Sequence, residues 1–206
     1  MNGSISNPRT AFFDSIAPKW DGWDDLEALA AKFARGLNEL GVGPAETILD
    51  VGCGTGNLTR ALLARLSEAG RVIAVDISPR MIEIARGKVS DPRVAWHIED
   101  ARRLPLAAGS CDRAICYSVW PHFDDQVAVT REFLRVLRPG GSLHVWHLIS
   151  RAMVNQIHST AGEAVHHDVL LPAEQTGHLL AGLGFRVTTA VETTDSYLVT
   201  GRKPGG

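Results

Sequence analysis

The run "LDVGCGTGNLT" (residues 49–59) constrains this chain more than any other stretch: an apolar segment ends at Asp50, glycines follow at 52, 54 and 56, and a helical pattern opens directly behind them. A strand that feeds a glycine turn and then a helix N-terminus marks the carboxyl edge of an open α/β sheet. Glycine lets the backbone turn tightly there and lets a ligand approach it closely. The spacing narrows the ligand. In the dinucleotide fingerprint GxGxxG the third glycine stands three residues after the second, whereas Gly54 and Gly56 are two apart, which argues against a nicotinamide-dependent oxidoreductase.

Short apolar runs then alternate with amphipathic ones, the pattern of a mostly parallel sheet with helices between its strands. The strand candidates are "TILDV", "RVIAVD", "VAWHIED", "DRAICYS" and "SLHVWHL". Helices are predicted for "NLTRALLARLSEAG", for "SPRMIEIARGK" with Ser78 as N-cap and Pro79 at its first position, and for "DDQVAVTREFLRVLRPGG". After the helical "PAEQTGHLLAGLGF", the runs "FRVTTAVE" and "SYLVTGR" are joined by a short polar turn and must be antiparallel. Residues 1–44 form a mainly helical lead-in with Phe12, Phe13, Trp20 and Trp23 as its bulky apolar positions.

The length of 206 residues fits one domain, and 45% hydrophobic with 21% charged residues is the balance of an ordinary globular chain. A formal charge of -2 offers no basic stripe, so nucleic acid is not an expected partner. Cys53, Cys111 and Cys116 form no CxxC pair, and no apolar stretch is long enough to span a bilayer. A cytoplasmic protein without a membrane partner is the expectation.

Three acids close successive predicted strands: Asp50, Asp76 in "AVDISPRM" and Asp100 in "HIEDARRLP". All three therefore face one crevice. A carboxylate at Asp76 can accept both hydroxyls of a ribose, and one at Asp100 can receive an adenine amino group. With these residues the chain resembles the class I S-adenosylmethionine-dependent methyltransferases, in particular the small-molecule branch that holds the ubiquinone and menaquinone C-methylases. The resemblance covers nearly the whole chain. It implies a Rossmann-like, doubly wound α/β fold: a seven-stranded, mostly parallel sheet of order 3-2-1-4-5-7-6 with an antiparallel last strand and helices on both faces. The implied organisation is a single methyltransferase domain over 1–206, with 1–44 as a helical lid and 148–172 as an insertion covering the substrate.

The resemblance also implies roles. Asp50 lies near the methionine part of S-adenosylmethionine, Gly52, Gly54 and Gly56 border its ribose and methionine, and Asp76 with Ile77 holds the ribose. Met81 packs on adenine, and Asp100 with Ala101 meets the amino group and ring edge. "CDRAICYSVWPHF" matches the fourth-strand segment that passes under the reactive methyl group, placing Ser118 at the cofactor and Trp120 at the substrate. "FDSIAPKWD" resembles the helix that folds over the cofactor, with Phe13 where many members carry tyrosine, and Lys19 or Trp20 as contacts to the methionine carboxylate. The product is S-adenosylhomocysteine, the partner is a small-molecule acceptor, and a homodimer through the tryptophan-rich lead-in is one expected assembly.

An activated methyl donor asks the protein mainly for alignment, plus a base where the acceptor must lose a proton. His122 after the fourth strand and His147 near the end of the fifth are the catalytic candidates. In "RAMVNQIH", after the N-cap Ser150, Arg151, Asn155 and His158 recur on one helix face and are expected to look down on the substrate. "HVWHLISRAMVNQIHSTAGEAVHHDVLLP" carries five of the eight histidines, and a metal site there would draw on His147, His158, His166, His167 and Asp168. It lacks a helical HxxxH pair, and His144 and His147 point to opposite faces of a strand. No metal is expected. A non-catalytic cofactor- or metal-binding module is the rival function.

Overall fold

The computed structural model describes residues 7–205; the first six residues of the expected lead-in and the final glycine lie outside them. The lead-in is α1 (Pro8–Ile16), a 3-10 turn (Ala17–Trp23) and α2 (Leu26–Glu39). Then follow β1 (Thr47–Val51), α3 (Asn57–Arg65), β2 (Arg71–Asp76), α4 (Pro79–Lys88), β3 (Val94–Ile98) and β4 (Cys111–Tyr117). The chain continues through α5 (Gln126–Val136), β5 (Leu137–His147), α6 (Arg151–Ala161), α7 (Ala173–Gly182), β6 (Arg186–Glu192) and β7 (Tyr197–Arg202). The sheet order is β3-β2-β1-β4-β5-β7-β6, and only β7 runs against its neighbours, pairing antiparallel with both β5 and β6. Among the described residues no helix is long and apolar enough to cross a membrane.

Each strand lies where alternating residues can enter two different cores. Leu49 and Val51 of β1, Cys116 of β4 and Leu143 and Val145 of β5 pack under α5 and α7. Ile48, Ala74, Ile115 and Trp146 face the other way, under α2, α3 and α4. This alternation sends His144 and His147 to opposite faces. His144 accepts or donates to Arg113, Ser142 and Thr200, at 2.5, 3.1 and 2.9 Å, within a buried polar cluster. Glycine matters at one helical position: a Cβ at Gly36 would stand 2.2 Å from the Trp146 ring, so α2 can lie this close to the sheet only with glycine there.

Capping fixes the helix starts. Ser78 Oγ accepts the Met81 amide at 3.1 Å, Asp125 caps α5 through the Ala128 amide at 2.8 Å, and Ser150 caps α6 through the Met153 amide at 3.2 Å. α1 differs from the others in that none of its residues is buried. Polar contacts seat it instead: Asp14 accepts from Ser78 Oγ at 2.5 Å and from the Arg80 amide at 3.1 Å, at the N-terminus of α4. The following turn is tied to the glycine loop through Asp21, which accepts from Thr55, Asn57 and Lys88 at 2.6, 2.9 and 2.7 Å.

Candidate active site

The carboxyl ends of β1, β2 and β4, with α1 and the turn behind it, enclose a cleft whose empty space, open mouth included, is about 1300 Å³. One end is the glycine loop. Gly52, Gly54 and Gly56 all adopt positive φ, at 65°, 53° and 83°, which a side chain would strain. They do different work. A Cβ at Gly54 would meet nothing nearer than Trp20 Nε1 at 3.9 Å, so this backbone is bare toward the cleft. A Cβ at Gly52 would strike Val119 at 2.4 Å, and one at Gly56 would press on Ala85 and Trp96 at 3.1 Å.

Asp76 organises this end. Its carboxylate accepts the Gly54 and Ser78 amides, each at 2.8 Å, so one side chain fixes both the glycine turn and the entry to α4. Burial drives its pKa above the ordinary carboxylate value, against the pull of those amides. Asp50 is fully enclosed and accepts from Thr59 Oγ1 at 2.6 Å. Desolvation pushes its pKa up to about 7, opposed by Thr59 and assisted by the nearby charge of Asp76. Ile77, Met81, Asp100, Ala101 and Ser118 complete the wall, Ser118 with a positive φ of 52°. Asp100 is paired with Arg102 at 2.6 Å, and although burial opposes it, this pairing holds its carboxyl below the usual range.

The residues present fit S-adenosylmethionine: the bare Gly54 backbone, the desolvated Asp76 carboxylate that accepts its amide and the apolar Met81 side chain line the same cleft.

At the other end stands His122, on a single 3-10 turn after β4. Its Nδ1 lies 2.6 Å from Asp168 Oδ2, and the Asp168 side chain is only 3% exposed. Asp168 also takes the fork of Arg9, through Nη2 to Oδ1 and through Nε to Oδ2 at 3.4 Å. Burial works against that charge, but His122 and Arg9 outweigh it and keep the carboxyl below its ordinary value. Phe13 meets the His122 ring edge-on at 5.1 Å, and the His158 ring lies 4.6 Å away. Sequence reading weighed Asp168 only as a metal ligand and gave Arg9 no role. The two are 159 residues apart, and no local signal joins them.

Several expected site residues are placed elsewhere. Gly56 does not line the cleft; it lets α3 start against α4 and β3. Lys19 is exposed and away from the cleft, whereas Trp20 lines it. Trp120 is a core side chain, 1% exposed, packed edge-on against Phe123 at 5.7 Å. The polar face of α6 is covered by the chain's own loop: Asn155 donates to the Leu170 carbonyl at 3.1 Å and accepts its amide at 2.8 Å. Arg151 pairs outward with Glu192 at 3.0 Å. His158 contacts the Asp168 carbonyl through Nδ1 at 2.6 Å and keeps its place beside His122. His147 is 1% exposed, does not line the cleft and has no hydrogen-bond partner on either nitrogen. Desolvation lowers its pKa to about 3, with His122 and His158 adding to the effect. Among the described residues no three His, Cys, Asp or Glu side chains converge as a metal site; His166 and His167 are exposed and meet edge-on, 4.8 Å between ring centroids.

A family model described as a methyltransferase domain matches residues 48–141. The malonyl-[acyl-carrier protein] O-methyltransferase of Hahella chejuensis is 35% identical over 187 residues, covering 89% of this chain and 66% of that protein. The ubiquinone/menaquinone biosynthesis C-methyltransferase UbiE of Syntrophotalea carbinolica is 36% identical over 144 residues, 65% of this chain and 58% of its own. The chain spans between 49% and 66% of the length of the curated relatives it matches. In structure, a SAM-dependent methyltransferase from Aquifex aeolicus superposes with a TM-score of 0.74 at 21% identity, over 90% of this chain and 97% of that one. The [4+2]-cyclase SpnF superposes with a TM-score of 0.70 at 20% identity, over 87% of this chain and 82% of that one, so the fold by itself does not name the reaction.

The chain belongs to the class I S-adenosylmethionine-dependent methyltransferases. Within that family it resembles the ubiquinone/menaquinone C-methylases, and the family's cofactor is S-adenosylmethionine.

Proposed function

We propose that this chain moves the methyl group of S-adenosylmethionine to a small acceptor that loses a proton in the reaction. The observation that carries the reading is one cleft with two differently equipped ends: a bare glycine backbone beside a buried ribose-type carboxylate, and an imidazole backed by a carboxylate. When bound, the cofactor supplies an activated methyl group and a neutral thioether leaving group.

The chain's residues do the rest. Asp76, Met81 and Asp100 bind and orient the nucleoside, and Asp50 faces the cationic part. With Nδ1 donating to Asp168, His122 carries its lone pair on Nε2. That nitrogen would take the proton from the acceptor's hydroxyl or acidic C–H, which would leave the acceptor's electron pair free for the methyl group the bound cofactor supplies. Similar proteins are named for both O- and C-methylation; a hydroxyl or an acidic C–H needs the base, whereas a carboxylate arrives already ionised. α1 and the turn to Trp23 serve as the lid, and α6 with its following loop serves as the cover. His158 flanks the base, 4.6 Å between ring centroids.

The test has two arms. Calorimetry with S-adenosylmethionine and S-adenosylhomocysteine should show binding of both, and a panel of phenolic, enolic and carboxylic acceptors should consume the former. His122→Gln should keep cofactor affinity and lower turnover by about a hundredfold to ten-thousandfold, the usual worth of a general base. Binding without methyl loss to any acceptor class, or full turnover in His122→Gln, would remove the reading.

A further inference from the structure

Asp168 joins the two ends of the chain at one imidazole. Its Oδ2 is shared by His122 Nδ1 and Arg9 Nε, its Oδ1 takes Arg9 Nη2, and the remaining Arg9 nitrogen reaches Asp124. Arg9 belongs to α1, the helix with no buried residue, whose seating depends on polar contacts at its edges. One turn further along the same helix, Phe13 packs its ring edge-on against His122. The adjoining Phe12 lies against Gly162, where a Cβ would stand 3.4 Å from its ring. The imidazole is thus held from two sides: Arg9 acts through the carboxylate at its Nδ1, and Phe13 lies at its face.

We infer that α1 is a clamp for His122, with Arg9 a positioning residue that locks the Asp168 carboxylate in the orientation receiving Nδ1–H, so that a bare Nε2 is presented only when α1 lies across the cleft. This inference rests on the reading of His122 as the base. The physical reason is the fork. A carboxylate with one partner can rotate and can take the imidazole as an ion-paired imidazolium, whereas a guanidinium bound to both oxygens fixes its plane and supplies the balancing charge. Asn7, Arg9 and Phe13 line the cleft, so a lifted α1 would open that wall. Lifting α1 withdraws Arg9 and Phe13 together.

The experiment uses the full chain labelled with 15N-histidine, read by long-range proton–nitrogen correlation spectra with S-adenosylhomocysteine bound. The His122 signals are assigned by their loss in His122→Gln. The wild type should give one neutral tautomer protonated at Nδ1, with that proton protected from solvent. In Arg9→Ala the tautomers should mix and the Nδ1 proton exchange about tenfold faster or more, the scale of one lost charge-assisted contact. Arg9→Lys, which keeps the charge without the fork, should fall between them, and Asp168→Asn should lose the signature altogether.

Cofactor affinity in Arg9→Ala should change far less than the exchange rate. Wild-type His122 signals in Arg9→Ala would overturn the clamp. Loss of S-adenosylhomocysteine binding in Arg9→Ala would overturn it also, by making Arg9 a cofactor ligand. Full turnover in His122→Gln removes the base and leaves the clamp signature intact, so the two failures are told apart.

Discussion

The two ends of the cleft are built by different means. At the cofactor end every functional group sits within a few residues of a strand terminus, and the backbone itself completes the site: Asp76 is held by the Gly54 and Ser78 amides, and Asp50 by Thr59 nine residues on. At the acceptor end, Arg9, His122 and Asp168 come from the lead-in, the β4–α5 connection and the loop after α6, and they are joined by side chains alone. The same contrast appears in polar satisfaction. Among the described residues the buried side-chain nitrogens and oxygens without a partner are Trp120 Nε1 and both nitrogens of His147, which all follow β4 or end β5; none belongs to the glycine loop or its acids. A site that binds one fixed molecule can be completed in advance.

The largest expected effect breaks the cofactor end alone. Asp76→Ala removes the carboxylate proposed to receive the ribose and also frees the Gly54 amide, so S-adenosylhomocysteine affinity should fall by about 2 to 4 kcal/mol in calorimetry. The His122 tautomer signature should persist in the free protein. Its loss there would mean that the two ends are one structural unit, and the contrast would fail.

A second test uses pH. Asp50, raised to about 7, is protonated below that pH in the free protein, and a cationic ligand favours its ionised form. Cofactor affinity should therefore climb as pH rises from about 5 to 7, by up to about tenfold per unit, with proton release on binding. Stability of the free protein runs the other way. A carboxyl with a raised folded pKa contributes stability below its unfolded value, and that contribution is lost as pH rises through 7, about 4 kcal/mol in all. Asp50→Asn should flatten both curves. A pH-independent affinity in the wild type would place the cationic part of the cofactor away from Asp50.

How much of this was legible in the sequence follows the same division. The glycine turn, the acids at successive strand ends, Ser78 as N-cap and the antiparallel β6–β7 pair are local patterns, and the structure places them where the sequence did. Gly56 was read as a cofactor contact because a glycine signals either bareness or close packing, and only the neighbours Ala85 and Trp96 decide which. Trp120 and Asn155 were misplaced for a similar reason. The spacing of Arg151, Asn155 and His158 does put them on one helix face, but spacing says nothing about what covers that face, and here the Asp168–Leu170 segment does. Asp168 and Arg9 were out of reach because their partnership exists only after the chain has folded.

The third test separates structural polar groups from functional ones on α6. Asn155→Ala breaks both bonds to Leu170, should lower stability by about 1 to 3 kcal/mol in thermal unfolding, and should loosen the segment that carries Asp168. Cofactor affinity should stay as it was. A drop in cofactor affinity equal to that of Asp76→Ala would tie the cover to the wrong end of the cleft.

The smallest effect is the most telling, because its sign is at stake. His147 carries two unpaired nitrogens in a fully buried place beside the edge of Tyr197, 5.6 Å between ring centroids. A side chain kept only for packing would be better served by an apolar ring, since replacing unsatisfied buried polar atoms with a similar apolar shape is neutral or stabilising. His147→Phe should therefore raise the unfolding free energy by up to about 1 kcal/mol while acceptor turnover falls. A destabilised His147→Phe with unchanged turnover would make His147 a satisfied core residue and leave the base and its clamp as the whole of the acceptor end.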